Sequence, residues 1–355
     1  KIMHFLKQNR ERSSYKFKFD NQIVQYAEVY KYLGIYFDEF LQFNFNEDEL
    51  AKSGSRALGS IICKLKQNEC MGYETYTKCY TSCVEPILTY SSEVTGYVKG
   101  IKLAQIQDRA ARSFLGLHKF SPKAAVKAEI GWIDLQVKRK IGMLRYWNKL
   151  LQMPDNRLVK HVFEKDYAEC GQLKNWCYHV RDIFIDIDMV ETFYDKKICD
   201  LDYCKEKLIS MYEDKLGREI RTKRKLRLYK KVKDNCKVEK YVTLNLKQSQ
   251  RSLLCQLRIG ILPLRLETGR YTNLKIEDRV CEQCDLGVVE DELHFLFHCK
   301  LYEEEREMFH RDLGEHNQLN DADENKLKYY CENKPRLFAK YITKIFEKRK
   351  NAQYK

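Results

Sequence analysis

Three cysteines and two histidines fall within nineteen residues of an otherwise charged, lysine-rich chain, in CEQCDLGVVEDELHFLFHC at residues 281–299. The spacing C-x2-C-x9-H-x4-C uses Cys281, Cys284, His294 and Cys299. Two thiolates two residues apart can grip one metal from a tight turn, and a His and a Cys further on can close a tetrahedron around Zn2+. Four protein ligands leave no open position for an activated water, so the chemistry this set offers is structural. His298 competes for the fourth place. Neighbouring side chains on a helix diverge by about 100°, so His294 is the better companion for Cys299 and His298 faces solvent. Asp285 to Gly287 supply a turn, and Glu290-Asp291-Glu292 stand where a helix would begin, near its positive end. The remaining cysteines, Cys79 and Cys83 among them, read as small core residues of a reducing compartment.

A second concentration of chemistry is basic. Residues 215–240, KLGREIRTKRKLRLYKKVKDNCKVEK, hold twelve Lys or Arg and three acids, most of the whole-chain excess of 65 Lys and Arg over 51 Asp and Glu, net +14. Such a cluster can release counterions from phosphates and grip RNA or DNA without reading sequence. Lys223, Arg224, Lys225, Arg227, Lys230 and Lys231 are the expected contacts. Leu216, Ile220, Leu226, Tyr229 and Val232 interleave, giving the segment a packed face, and a solvated helix surface is the competing reading. Arg251, Arg258, Arg265 and Arg270 precede the cysteines. They suit bidentate phosphate contacts, and equally suit pairing with Glu267 or Glu277.

Catalytic signals are lacking. Asp186 and Asp188 are two apart, as a strand-borne pair for Mg2+ would be, but the acids around them spread like a solvated face. The chain has no G-x-x-x-x-G-K-[ST] loop, G-x-S-x-G elbow or H-E-x-x-H helix. No run of about 20 apolar residues spans a bilayer, and no apolar signal core opens the sequence. The expectation is an intracellular protein, in nucleus and cytoplasm, with neither membrane nor small-molecule partner.

The elements that must position these residues are mostly helical. Residues 15–37 alternate with period two around Asp20-Asn21 and read as two or three antiparallel strands. Beyond Asn46 the apolar spacing is helical, with stops at Gly116 and Gly131 and a strong amphipathic run at 137–153. The predicted fold is mainly α with a short N-terminal antiparallel β-hairpin and a small C-terminal zinc-knuckle unit. Its expected divisions are 1–46, the hairpin; 47–168, helical; 169–248, a helical linker region, less tightly packed, acidic then basic; 249–312, the knuckle region; and 313–355, polar helices.

The order of these pieces resembles the C-terminal part of the reverse transcriptase of non-LTR, LINE-type retrotransposons, jockey-like elements especially. KIMHF looks like the end of the segment that follows the polymerase active site, and YKYLGIYFDEFLQF looks like the hairpin that grips the primer terminus. YTKCYTSCVEPILTYSSEV and IQDRAARSFLGLHKFSPKAAVKAEIGW look like the thumb and connector. LPLRLETGRYTN and the cysteine set look like the terminal zinc knuckle. The similarity runs over about residues 1–312.

The resemblance implies that Tyr32, Leu33 and Gly34 steady the primer end and that the thumb tracks the duplex. It also implies catalytic carboxylates, with their Mg2+, in a segment preceding Lys1, so this piece alone would not polymerise. Rival expectations are a stand-alone zinc-stabilised adaptor for protein partners, and a decayed element copy without function.

Overall fold

A computed structural model describes residues 1–6, 11–68, 71–233, 235–314 and 321–353; Cys70 and Asp234 lie outside them. The chain is mainly helical, with antiparallel β-hairpins near its N-terminus and a Cys/His cluster near its C-terminus. It divides into two compact units, each assembled from separated stretches. One comprises Lys1–Ser60, Tyr80–Gln107 and Ile133–Met211; the other comprises Ile61–Cys79, Asp108–Trp132 and Tyr212–Lys355. Among the described residues no helix is long and apolar enough to cross a membrane.

In the first unit, strands Lys18–Phe19 and Gln22–Ile23 pair across Asp20 and Asn21, whose φ values of 49° and 61° are those of a type I′ turn. Strands Val29–Tyr32 and Ile35–Asp38 pair across Leu33 and Gly34, with Tyr32 opposite Ile35. Leu33 has φ 46° and Gly34 φ 86°, and a left-handed leucine is costly. The Tyr90 hydroxyl holds this turn by donating to the Leu33 carbonyl at 2.6 Å, so close that a Cβ on Gly34 would lie 2.9 Å from the hydroxyl oxygen. Glycine at 34 is therefore required by both its φ and its neighbour.

The helical core of this unit centres on Trp147, fully buried on helix Leu135–Leu151, which Asp134 caps by accepting from the Gln136 N–H at 2.9 Å. Phe163, Phe184 and Phe193 pack on its ring at centroid distances of 5.5, 5.8 and 5.2 Å, and its Nε1 donates to the Lys197 carbonyl. These partners come from helices Leu158–Glu169, Trp176–Asp186 and Val190–Tyr194. The first part of the expected helical linker is tightly packed: Cys177, Val180, Ile183 and Phe184 point inward from helix Trp176–Asp186. The acids that suggested otherwise line the outer faces, and Asp186, on a helix rather than a strand, pairs with Lys140 at 2.7 Å.

The second unit takes in helix Ile101–Leu115 only from Asp108 onward; that helix ends at Gly116 with φ 67°, and helix Lys123–Ile130 ends at Gly131 with φ 65°, the left-handed caps the sequence predicts. Tyr76 stacks between Phe114 and Trp132. The last helix, Pro335–Gln353, is charged in composition, yet buries Phe338, Ile342 and Ile345 along one face at i, i+4 and i+7. Tyr341 stacks on Phe309 of helix Glu303–Leu313 at 4.6 Å. Far from being an appendage, the C-terminal helix is part of the core that surrounds the cysteine cluster.

Candidate metal centre and its basic surround

An antiparallel bridge between Val280 and Val289 closes the loop that carries the first two ligands, with the Cys281 N–H donating to the Val288 carbonyl at 2.8 Å. Inside the loop the Gln283 N–H points at Cys281 Sγ at 3.4 Å, a contact that favours a thiolate. Of the second pair, His294 opens a π-turn, His294–His298, and Cys299 directly follows it; the Asp291 carboxylate accepts from the His294 N–H at 2.8 Å.

Residues five apart on an α-helix lie roughly 140° apart around the axis. The wider turn, closed by the Cys299 N–H to the His294 carbonyl at 2.9 Å, brings position 299 back beside 294. The Cys299 carbonyl is held in turn by Arg306 at 2.7 Å.

Together these elements place one ligand atom from each of Cys281, Cys284, His294 and Cys299 within 4.8 Å of one another. Cys281 Sγ and Cys299 Sγ are 3.9 Å apart, and Cys284 Sγ is 3.5 Å from His294 Nε2. Tetrahedral zinc with ordinary bond lengths would set S···S at about 3.8 Å and S···N at about 3.6 Å. A disulfide needs sulfurs at roughly 2.05 Å. The set thus has the spread of a cation's ligands, and it could hold a metal ion with no fifth position open. Three of the four are buried, Cys284 being the partly exposed one. As thiols, Cys281 and Cys299 share a hydrogen bond that holds the proton on Cys281 and eases its loss from Cys299. Metal binding must displace such protons, so it weakens as pH falls.

His298 is exposed and its Nε2 meets Asp323 at 2.5 Å, outside the four-atom cluster. His298→Ala is expected to retain the full metal content of the native protein; metal analysis showing a loss would place His298 in the set.

The acids between the ligand pairs brace the loop. Glu290 is buried and accepts from Arg349 at 2.9 Å and from the Arg265 N–H at 2.7 Å, joining the last helix to the metal loop. Glu292, also buried, pairs with Arg227 of the basic segment. Burial pushes both carboxyls up, against the pull of Arg349 and Arg227. Only Asp291 acts at the start of the turn as the sequence suggests. The Glu290–Arg349 pair has no local sequence signal, being 59 residues apart.

The basic residues divide. Lys225 pairs with Glu267 at 2.6 Å, Lys231 with Glu324 at 2.8 Å, Arg265 with Glu282 at 2.8 Å and Arg270 with Glu267 at 3.2 Å. Lys223, Arg224 and Lys230 are exposed and, among the described residues, have no ion pair. Leu226, Tyr229 and Val232 are buried beneath them, which is the packed face of the segment. Arg258 is a correction. Its side chain is 0% exposed and its Nε lies 3.2 Å from Glu129, with Nη2 3.0 Å from Glu239, so it cannot reach a phosphate. Tyr241 donates to the same Glu129.

Tyr32, Leu33 and Gly34 form the hairpin turn of the first unit, with Tyr32 and Leu33 exposed. No protein-family model matches the chain, and neither a curated protein nor a solved structure matches it.

Proposed function

We propose that the chain is the nucleic-acid-binding C-terminal part of a retrotransposon RNA-directed DNA polymerase, holding primer, template and element RNA or target DNA. In this reading the Cys281, Cys284, His294 and Cys299 centre is a closed structural Zn2+ site. The observation that carries it is the fastening of the basic segment to the metal loop through Arg227–Glu292, which leaves Lys223, Arg224 and Lys230 outward as a fixed cationic edge. Folding the loop around zinc would then set the position of a phosphate grip. Tyr32 to Gly34 would steady the primer end, a role that rests on the resemblance and on the exposure of Tyr32 and Leu33. Polymerisation itself belongs to carboxylates that the resemblance puts in another segment.

The test is salt dependence. Binding of a DNA duplex is expected to weaken steeply between 50 and 200 mM salt, with roughly 0.9 in log–log slope for each phosphate contacted. Replacing Lys223, Arg224 and Lys230 together by Ala should lower that slope by about 2 to 3 units. Equal affinity at both salts removes the nucleic-acid reading and favours the zinc-stabilised adaptor.

A further inference from the structure

From Arg109 to Ala128 the chain carries Arg109, Arg112, Lys119, Lys123 and Lys127 and no acid. In the midst of this stretch, in the loop at residues 116–122, stands Phe120, 76% exposed. An isolated exposed phenylalanine is ordinary. Here its loop is built to stay in place. The last carbonyls of helix Ile101–Leu115 are taken by side chains of helix Gln248–Arg258: Gln248 donates to Ser113 O at 2.8 Å, Arg251 to Phe114 O at 2.9 Å and Ser252 to Gly116 O at 2.7 Å. A Cβ on Gly116 would lie 2.7 Å from that of Ser252, so the approach leaves room only for glycine. On the far side Arg112 donates to the Ser121 carbonyl at 3.2 Å, and the Ser121 N–H closes a turn onto His118 O at 3.0 Å.

Between these anchors three exposed side chains form one surface. The rings of His118 and Phe120 are 5.0 Å apart, and Lys119 Nζ lies 5.0 Å from the Phe120 ring centroid. Next in sequence, helix Lys123–Ile130 begins behind Pro122 with Lys123 exposed at its first position, while Ser121, Ala124 and Ala125 are buried beneath it. The acid facing this helix is Asp108, which lies 3.9 Å from both Lys123 and Lys127.

An exposed aromatic face held rigidly beside cations has the parts of a single-strand site: a ring for a base, and lysines for the phosphate next to it. We infer that this loop stacks one unpaired nucleobase on Phe120 and holds the adjoining phosphate with Lys119 and Lys123. The inference rests on the nucleic-acid reading above and narrows it, adding a contact selective for single strands to a cationic edge that grips any backbone.

The experiment measures the affinity of the full chain for a fluorescent single-stranded oligonucleotide and for its duplex, at one salt concentration. Phe120→Ala is expected to weaken single-strand binding by about tenfold or more and to leave duplex binding within about twofold. Phe120→Trp should keep the native single-strand affinity, since stacking asks for a ring and not for a phenyl in particular. Because Phe120 is exposed, unfolding midpoints should agree among the three proteins. Native single-strand affinity in the alanine variant, or an equal loss on duplex, overturns the loop assignment while leaving the salt-dependent grip standing. A native protein that binds neither oligonucleotide overturns both.

Discussion

Cys299→Ser is expected to abolish zinc binding and to cost the second unit on the order of 5 kcal/mol or more. Structural zinc contributes an apparent 10–16 kcal/mol or so in small peptides, which is about the whole stability of an ordinary domain. The loss here should be smaller than that figure, because Phe295, Leu296, Tyr302, Phe309 and Tyr341 belong to a large apolar core that contributes its own burial energy beside the metal site. It should still be large. Cys299 is 1% exposed, its N–H closes the π-turn and its carbonyl anchors Arg306, so the site cannot loosen without disturbing its surroundings. Chelation of the native protein should have the same effect. Metal content and denaturant midpoints measured together check this, with Cys63→Ser, an exposed cysteine outside the cluster, as the control that keeps both. Native stability in metal-free Cys299→Ser would mean that the cluster is only a group of packed thiols.

The second large effect concerns Arg258. Truncating it to Ala leaves Glu129, itself fully buried, without its cation, and breaking a buried pair in this way costs about 3–5 kcal/mol. Glu239 loses a partner too but keeps Lys233, so Glu129 carries most of the penalty. The loss should appear in the denaturation midpoint and not in nucleic-acid affinity, measured at a temperature where the variant stays folded. A variant of native stability with weakened binding would return Arg258 to the phosphate-contact set. Glu129→Gln is expected to be milder, since the amide keeps a hydrogen bond to Tyr241 and the buried Arg258 keeps Glu239 as a counter-charge.

What could be read from the sequence was local. The four ligands are legible because C-x2-C fits a tight turn and H-x4-C follows close behind it, although the π-turn that brings 299 beside 294 is not, and Gly116 and Gly131 mark helix ends because a left-handed cap favours glycine there. Asp20-Asn21 announces its turn in the same way. The looseness ascribed to the stretch around residues 170–206 is wrong for a physical reason. Its acids dominate the composition while Val180, Ile183, Phe184 and Phe193 do the packing, and an average over charge hides an apolar face. The helix Pro335–Gln353 misleads likewise. Arg258 could not have been placed at all, since Glu129 is 129 residues away and the surroundings QLRIG read as well for a phosphate contact as for a core. The Arg227–Glu292 link between basic segment and metal loop, 65 residues long in sequence, is invisible for the same reason, and it is what gives the cationic edge a fixed place.

The most direct measurement is X-ray absorption at the zinc edge of the purified full chain. The account predicts one zinc per chain with three sulfur scatterers at about 2.3 Å and one nitrogen at about 2.0–2.1 Å, and no oxygen shell from water. A chain that carries no zinc, or a zinc whose first shell includes a solvent oxygen in place of one of these four ligands, would contradict it.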